Sequence, residues 1–126
     1  MADQPAGFLV AVVDDDRSVL DSLEMLLESA GHAVCLFGSA EALLESGRLP
    51  ELDGLISDIG LPGMDGFQLL RRIHASRPEL PVILITGQSD LLNRMPDTAR
   101  DRCRVLKKPI DGHMLLAMID EALGIP

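Results

Sequence analysis

Phe8-Leu9-Val10-Ala11-Val12-Val13-Asp14-Asp15-Asp16 is an apolar run that breaks into three consecutive acids. A short continuous apolar run closed by turn-forming residues predicts a strand buried on both faces, as in a parallel sheet. Three more stretches share this design. Leu55-Ile56-Ser57 runs into Asp58, Val82-Ile83-Leu84-Ile85 into Thr86-Gly87, and Val105-Leu106 into Lys107-Lys108-Pro109. Open parallel sheets gather ligands outside the carboxyl ends of their strands. With these runs as parallel neighbours, carboxylates, a hydroxyl and an ammonium converge at one edge.

Between the runs the apolar spacing changes to the helical period. Asp15 or Asp16 is positioned to cap a helix whose stripe is Val19, Leu20, Leu23, Leu26, Leu27 and Ala30, with Gly31 as a left-handed stop. Ala33–Phe37 predicts a second strand. Ser39 then caps a helix carrying Ala42, Leu43 and Leu44, with Glu41 favourably placed in its first turn. The third strand spans 53–58, and a turn-rich loop from Ile59 to Gly66 leads into a helix bearing Phe67, Leu69, Leu70, Ile73 and Ala75. The fourth strand spans 81–86. Residues 88–101 form the weakest pattern, with Pro96 in the middle of a poor apolar period, and predict a shortened or broken helix. Arg104–Lys107 is the fifth strand. A last helix begins near Asp111, carries Leu115, Leu116, Ile119 and Leu123 on one face, and ends at Gly124. Strict β–α alternation predicts an α/β domain with right-handed crossovers. Five strands in this length predict the flavodoxin-like doubly wound order 2-1-3-4-5, whose switch point lies between strands one and three. Those are the strands ending in Asp14-Asp15 and Asp58.

The chain has 126 residues, 47% of them hydrophobic but only 2% aromatic, which fits a single domain with an aliphatic core. No apolar run reaches the roughly 20 residues of a membrane span, and the first residues lack the pattern of a signal peptide, so a cytoplasmic location is expected. The net charge of −9, from 20 acids against 11 bases, argues against direct nucleic-acid binding by this domain. The basic cluster Arg94, Arg100, Arg102, Arg104, Lys107 and Lys108 is interrupted by Asp97 and Asp101 and has no interleaved aromatics. Cys35 and Cys103 are expected to be buried small hydrophobes. The proposed strand order sets them four inter-strand steps apart, nearly ~20 Å, beyond disulfide reach.

Grouped carboxylates at Asp14, Asp15 and Asp58 repel one another, and a hard divalent cation relieves that repulsion; an all-oxygen set suits Mg²⁺. A cation there draws in a phosphoryl donor, and a neighbouring carboxylate at a strand end can act as nucleophile. Lys108 then supplies a point charge for phosphoryl oxygens, and Thr86 a hydroxyl. Each residue has a plainer reading: Asp14 to Asp16 as helix caps, Asp58 as a turn former before Pro62, Thr86 as a satisfied strand-end hydroxyl, and Lys108 as a solvated surface charge. Their joint placement at successive strand ends is what favours the chemical reading.

From about Leu9 to Leu123 the chain resembles the receiver (phosphoacceptor) domains of two-component response regulators. The resemblance rests on Val12-Val13-Asp14-Asp15-Asp16, on the stretch from Ser57 to Gly66, on Ile85-Thr86-Gly87 and on Lys108-Pro109. It implies a receiver domain over residues 8–124 after a tail of residues 1–7. It also implies that Asp58 is the phosphoacceptor. Asp14 and Asp15 form the acidic pocket and belong to the Mg²⁺ set, with Asp15 favoured over Asp14 for direct ligation, and Asp58 and the Gly60 carbonyl complete that set. Thr86 is the switch hydroxyl and Lys108 the phosphate-binding lysine. The implied partner is a sensor histidine kinase or histidine phosphotransfer protein. Such a domain is no enzyme beyond catalysing its own phosphorylation and dephosphorylation. A homodimer through the fourth and fifth strands is common in the family.

Some positions depart from the family pattern. Val105 stands where Tyr or Phe is usual, Asp101-Arg102 replaces a small pair, and Pro96 interrupts the preceding segment. These changes fall on the face through which the family transmits its signal. Gly60 places no side chain over the phosphoryl site, and Gln88 is positioned to influence the hydrolytic water; both bear on dephosphorylation rate. Three other functions compete. A degenerate receiver would bind partners without phosphorylation. An aspartyl-nucleophile phosphatase would need an acid two residues after Asp58, where Gly60 stands. A flavin-binding module would want a Ser/Thr/Gly-rich first loop rather than three acids. Past the last helix only Gly124-Ile125-Pro126 remains, so no output domain is expected in this chain, which reads as a stand-alone regulator or as a piece of a larger one.

Overall fold

The computed structural model describes residues 8–87, 95 and 103–124. Apart from Met95, the predicted helix over 88–101, with Gln88, Pro96 and Asp101, lies outside the described residues, as do Arg102 and the tail at residues 1–7.

Five parallel strands form one sheet: β1 (Leu9–Val13), β2 (Ala33–Phe37), β3 (Gly54–Asp58), β4 (Val82–Thr86) and β5 (Arg104–Lys107), in the order β2-β1-β3-β4-β5. The described helices are α1 (Arg17–Ser29), α2 (Ala40–Glu45), α3 (Gly66–Ser76) and α4 (Gly112–Leu123), with a 3₁₀ turn at Leu49–Glu51 before β3. Strands β1, β3 and β4 each begin one residue later than the spans expected from the sequence, while β2 and β5 fall where expected.

β3 and β4 are buried along their whole length, which is why they read as unbroken apolar runs rather than as alternating ones. Successive side chains nevertheless go to opposite faces. Ala11, Val13, Leu55, Val82 and Leu84 pack with Ala40 and Leu43 of α2 and with Phe67, Leu69, Leu70 and Ile73 of α3. Val10, Val12, Ile56, Ile83, Ile85 and Leu106 pack with Leu20, Leu23 and Leu27 of α1 and with Leu115 and Ile119 of α4. A large aliphatic side chain buried in either layer contributes about 1.5–3 kcal/mol.

The local punctuation at α1 and α2 acts as expected, and Asp65 and Asp111 add caps at α3 and α4 that the sequence reading had not named. Asp16, Ser39, Asp65 and Asp111 cap α1, α2, α3 and α4, each side chain accepting a backbone N–H of the first turn. Gly31 (φ +90°) and Gly124 (φ +72°) take the left-handed conformation just past α1 and α4. Three small residues of the predicted stripes face solvent instead: Ala30, Ala42 and Ala75 are exposed. Ala40 and His74 are buried in their place. A helical period locates a stripe only to within a residue on each side, and alanine carries too little apolar surface to decide which side turns inward. His74 enters the core because its Nε2 bonds the Leu80 carbonyl at 3.0 Å.

Cys35 on β2 and Cys103 just before β5 lie at opposite edges of the sheet and form no disulfide with each other. Cys35 is buried as expected; Cys103 is only partly so. No described helix is long and apolar enough to cross a membrane.

Candidate functional site

The strand register brings the predicted residues together. β1 pairs with both β2 and β3, so the chain diverges between the ends of β1 and β3. Asp14 follows β1, Asp58 ends β3, Thr86 ends β4 and Lys108 follows β5. Asp58 continues the alternation through Ile56, on the face covered by α1 and α4. Asp14 and Lys108 continue the same alternation from Val12 and Leu106, each one residue beyond its strand. Thr86 falls in step with Leu84, on the other face.

The Lys108 ammonium sits 3.3 Å from Asp14 Oδ2 and 3.3 Å from Asp58 Oδ2, bridging residues 94 and 50 positions away in the chain. Asp14 and Asp58 are buried, at 1% and 9% exposure, whereas Asp15 is exposed. Oxygens of all three carboxylates lie within 4.8 Å of one another. The remaining lone pairs are partly used. The Asp16 N–H donates to Asp14 Oδ1 at 2.9 Å and the Gly60 N–H to Asp58 Oδ1 at 3.2 Å. The ambiguity over the three acids after β1 resolves here. Asp16 caps α1, with the Ser18 N–H and hydroxyl both on its Oδ1 at 2.9 and 2.7 Å, while Asp14 turns into the pocket.

The backbone frames this cluster. The Asp14 N–H donates to the Phe37 carbonyl, the Ile59 N–H to Ile85 and the Lys108 N–H to Thr86, carrying the sheet bonding one step past the strand ends. The Lys108-Pro109 peptide is cis. Behind Asp58, α3 starts at Gly66 because nothing larger fits. A Cβ there would stand 2.7 Å from Ile59 Cα and 2.8 Å from the Asp58 carbonyl oxygen, both backbone atoms.

Charge and burial oppose each other in the pocket. Burial pushes the Asp14 carboxyl up and the Asp58 charge adds to that; the Asp16 N–H and the Lys108 ammonium pull the other way without cancelling it. For Lys108, burial alone would lower the ammonium, but Asp58 and Asp14 hold it above its usual value. One cation therefore faces three clustered carboxylates, and the cluster is short of positive charge. An all-oxygen, acid-rich set of this kind suits a hard divalent ion such as Mg²⁺, with Asp14, Asp15 and Asp58 as the residues able to hold it.

Sequence reasoning named the cluster residues but missed two ties to it. The Asp16 N–H on Asp14 is a local bond hidden by the capping reading. The bond from the Met64 N–H to Glu41 Oε2 joins α2 to the loop after Asp58, and Glu41 had registered only as a first-turn acid.

A doubly wound α/β fold with a lysine-bridged acidic pocket at its switch point defines a class of small signalling domains. The family model described as the response regulator receiver domain matches residues 10–120, and the chain belongs to that family. It is 37% identical to the transcriptional regulatory protein FixJ of Bradyrhizobium diazoefficiens over 116 residues, covering 90% of this chain and 56% of FixJ. It is 38% identical to the DNA-binding transcriptional regulator NtrC of Klebsiella pneumoniae over 113 residues, covering 90% of this chain and 24% of NtrC. The chain thus spans about half the length of FixJ and a quarter of NtrC. Among solved structures, a response regulator receiver domain protein from Clostridium thermocellum superposes with a TM-score of 0.84 at 28% identity, covering 93% of this chain and 94% of that one. The BeF3-activated DrrB receiver domain gives 0.83 at 28% identity, covering 94% and 98%. The chain is thus a receiver domain of the two-component signalling type.

Proposed function

We propose that residues 8–124 form a phosphorylation switch in which Asp58 accepts a phosphoryl group from a phosphohistidine on a sensor histidine kinase or a histidine phosphotransfer protein. The observation that carries this reading is the Lys108 ammonium held at 3.3 Å from both Asp14 and Asp58 at the switch point of the sheet. A carboxylate oxygen of Asp58 attacks phosphorus, the bond to the donor imidazole breaks, and the imidazole leaves with the electron pair. Asp14, Asp15, Asp58 and the Gly60 carbonyl are the proposed Mg²⁺ ligands; the bound ion would offset charge on the phosphoryl oxygens and the acids. Lys108, already between the two buried carboxylates, moves its contact from Asp58 to a phosphoryl oxygen. The Thr86 hydroxyl takes another. Because the phosphorylated and free forms make different contacts with Thr86 and Lys108, phosphate biases the surrounding surface between two states.

Val105 belongs to this switch by position. It pairs with Leu84, two residues before Lys107, the register partner of Thr86, and packs on the same face. A valine there fills less space than an aromatic ring and leaves the Thr86 side of the switch differently supported. Gly60 and Gln88 are the proposed modulators of dephosphorylation.

Intact mass after incubation with Mg²⁺ and acetyl phosphate tests the reading. Wild type should gain one phosphoryl mass (~80 Da), and neither Asp58→Asn nor the wild type without Mg²⁺ should. Failure of the wild type to gain mass from either acetyl phosphate or a phosphohistidine donor would leave a phosphorylation-independent interaction module. A gain that persists in Asp58→Asn would place the acceptor elsewhere.

A further inference from the structure

The loop between β3 and α3, residues 59–65, carries Gly60 past the acidic cluster. Its first part is held by local bonds. The Gly60 N–H donates to Asp58 Oδ1 at 3.2 Å, and the Ile59 carbonyl accepts the N–H groups of Leu61 and Gly66 at 3.0 and 2.9 Å. Leu61 is buried and anchors the middle of the loop in the core. The far part is held differently. The Met64 N–H donates to Glu41 Oε2 at 3.0 Å, across 23 positions of sequence. Among the hydrogen bonds described for this loop, this is the tie to α2.

Gly63 leaves room for that carboxylate. Its φ is +74°, and a Cβ there would stand 2.8 Å from the same Glu41 oxygen. Glu41 itself lies in the first turn of α2, where its own backbone N–H and then the Met64 N–H hold its carboxyl below the usual range. The short helix α2 follows β2 directly, and the last residue of β2, Phe37, accepts the Asp14 N–H through its carbonyl. Glu41 therefore spans from the β1–β2 side of the pocket, which orders Asp14, to the loop that carries Gly60.

We infer that Glu41 is a positioning residue for cation binding and phosphotransfer: by holding the Met64 N–H it fixes the β3–α3 loop, with Gly60, against the acidic cluster. This rests on the assignment of Asp58 and Gly60 above. A loop set loose by even a fraction of an ångström costs binding and rate without touching the reacting atoms.

Glu41→Ala and Glu41→Gln separate this role from others. Three quantities are read: Met64 amide exchange by NMR, Mg²⁺ affinity by calorimetry, and the initial rate of phosphorylation by acetyl phosphate. In Glu41→Ala the Met64 amide should exchange about tenfold faster or more. The Mg²⁺ Kd should weaken about three- to tenfold, and the rate should fall in step at low Mg²⁺ and recover at saturation. Glu41→Gln keeps an oxygen for the Met64 N–H and should stay within about twofold of wild type on all three. Glu41 is exposed, so Tm should barely move in either variant.

Faster Met64 exchange with unchanged Kd and rate would overturn the inference. So would a Gln variant that matches Ala, since long-range charge would then be the cause. A wild type that binds Mg²⁺ but is never phosphorylated would refute the assignment of Asp58 instead. In that case Mg²⁺ affinity and Met64 exchange decide the role of Glu41 by themselves.

Discussion

The two edges of the sheet are built from the same strands to opposite ends. At the amino edge Val10, Gly54, Pro81 and Ile83 line an all-apolar contact with Ile119, Ala122 and Leu123 of α4, while Leu55 packs on the opposite face of the sheet. Gly54 there leaves space that Leu123 fills, its Cδ2 3.4 Å from where a Cβ would stand. At the carboxyl edge, four or five residues along, Asp14, Asp58 and Thr86 are equally buried but polar. One edge is packed for stability. The other retains mutually repelling charges that a domain selected for stability alone would discard. Substitutions at the two edges should therefore change stability in opposite directions.

The largest effect is expected at the amino edge. Leu55→Ala deletes a side chain that is 2% exposed and should cost about 2–5 kcal/mol in urea unfolding, while the folded fraction still takes up phosphate with wild-type kinetics. A loss of phosphorylation kinetics in the folded fraction would break the separation between the edges.

At the carboxyl edge Asp14→Asn should do the reverse. Burial raises the folded-state Asp14 carboxyl above its ordinary value, so the folded protein binds the proton more tightly than the unfolded chain does. Stability from this group is complete below the unfolded value and is lost as pH rises through the folded one. At neutral pH the buried charge is a net cost. In EDTA the variant should be more stable by on the order of 1 kcal/mol and should lack that part of the pH slope. It should also bind Mg²⁺ at least about tenfold more weakly, because one of the proposed anionic oxygen ligands would be gone. Chemical unfolding with and without Mg²⁺ checks both signs; a variant less stable than wild type in EDTA would refute the opposition between the edges.

The smallest effect concerns a half-buried thiol whose acidity burial lowers. Cys103, just before β5 at the amino edge, is pushed up to about 11 by desolvation. At pH 8 only about 0.1% would then be thiolate, so iodoacetamide should label Cys103 far more slowly in the folded protein than in urea. Equal rates would show that burial does not control this edge.

Much of this organisation is legible in the chain. Strand existence and order follow from apolar runs and from β–α alternation. The cap Ser39, the helix start near Asp111 and the stops Gly31 and Gly124 follow from side-chain and backbone chemistry that acts within one turn of a helix. Asp14, Asp58, Thr86 and Lys108 were readable because a parallel sheet sends every strand end to the same edge, whatever the loops do. The failures are of a different kind. Ala30, Ala42 and Ala75 carry too little apolar surface to set a helix's rotation, and their larger neighbours set it instead. His74 falls outside the predicted stripe of α3, and its burial depends on the Leu80 carbonyl. Arg77, just past α3, drew no reading from the sequence, yet its Nη1 donates to the carbonyls of Leu49 and Leu52 at 2.9 and 2.6 Å, fastening the 3₁₀ turn.

Local rules thus carried the elements, their order and the identity of the residues at the carboxyl edge, because propensity, capping and two-residue alternation act over a few positions. Which of three consecutive acids caps α1 and which enters the pocket, how one lysine spans two carboxylates, and how Glu41 reaches the loop beside Asp58 were settled by the assembled fold. Those contacts join residues up to 94 positions apart. Their geometry depends on how helices and strands pack in three dimensions, and no local pattern in the chain encodes it.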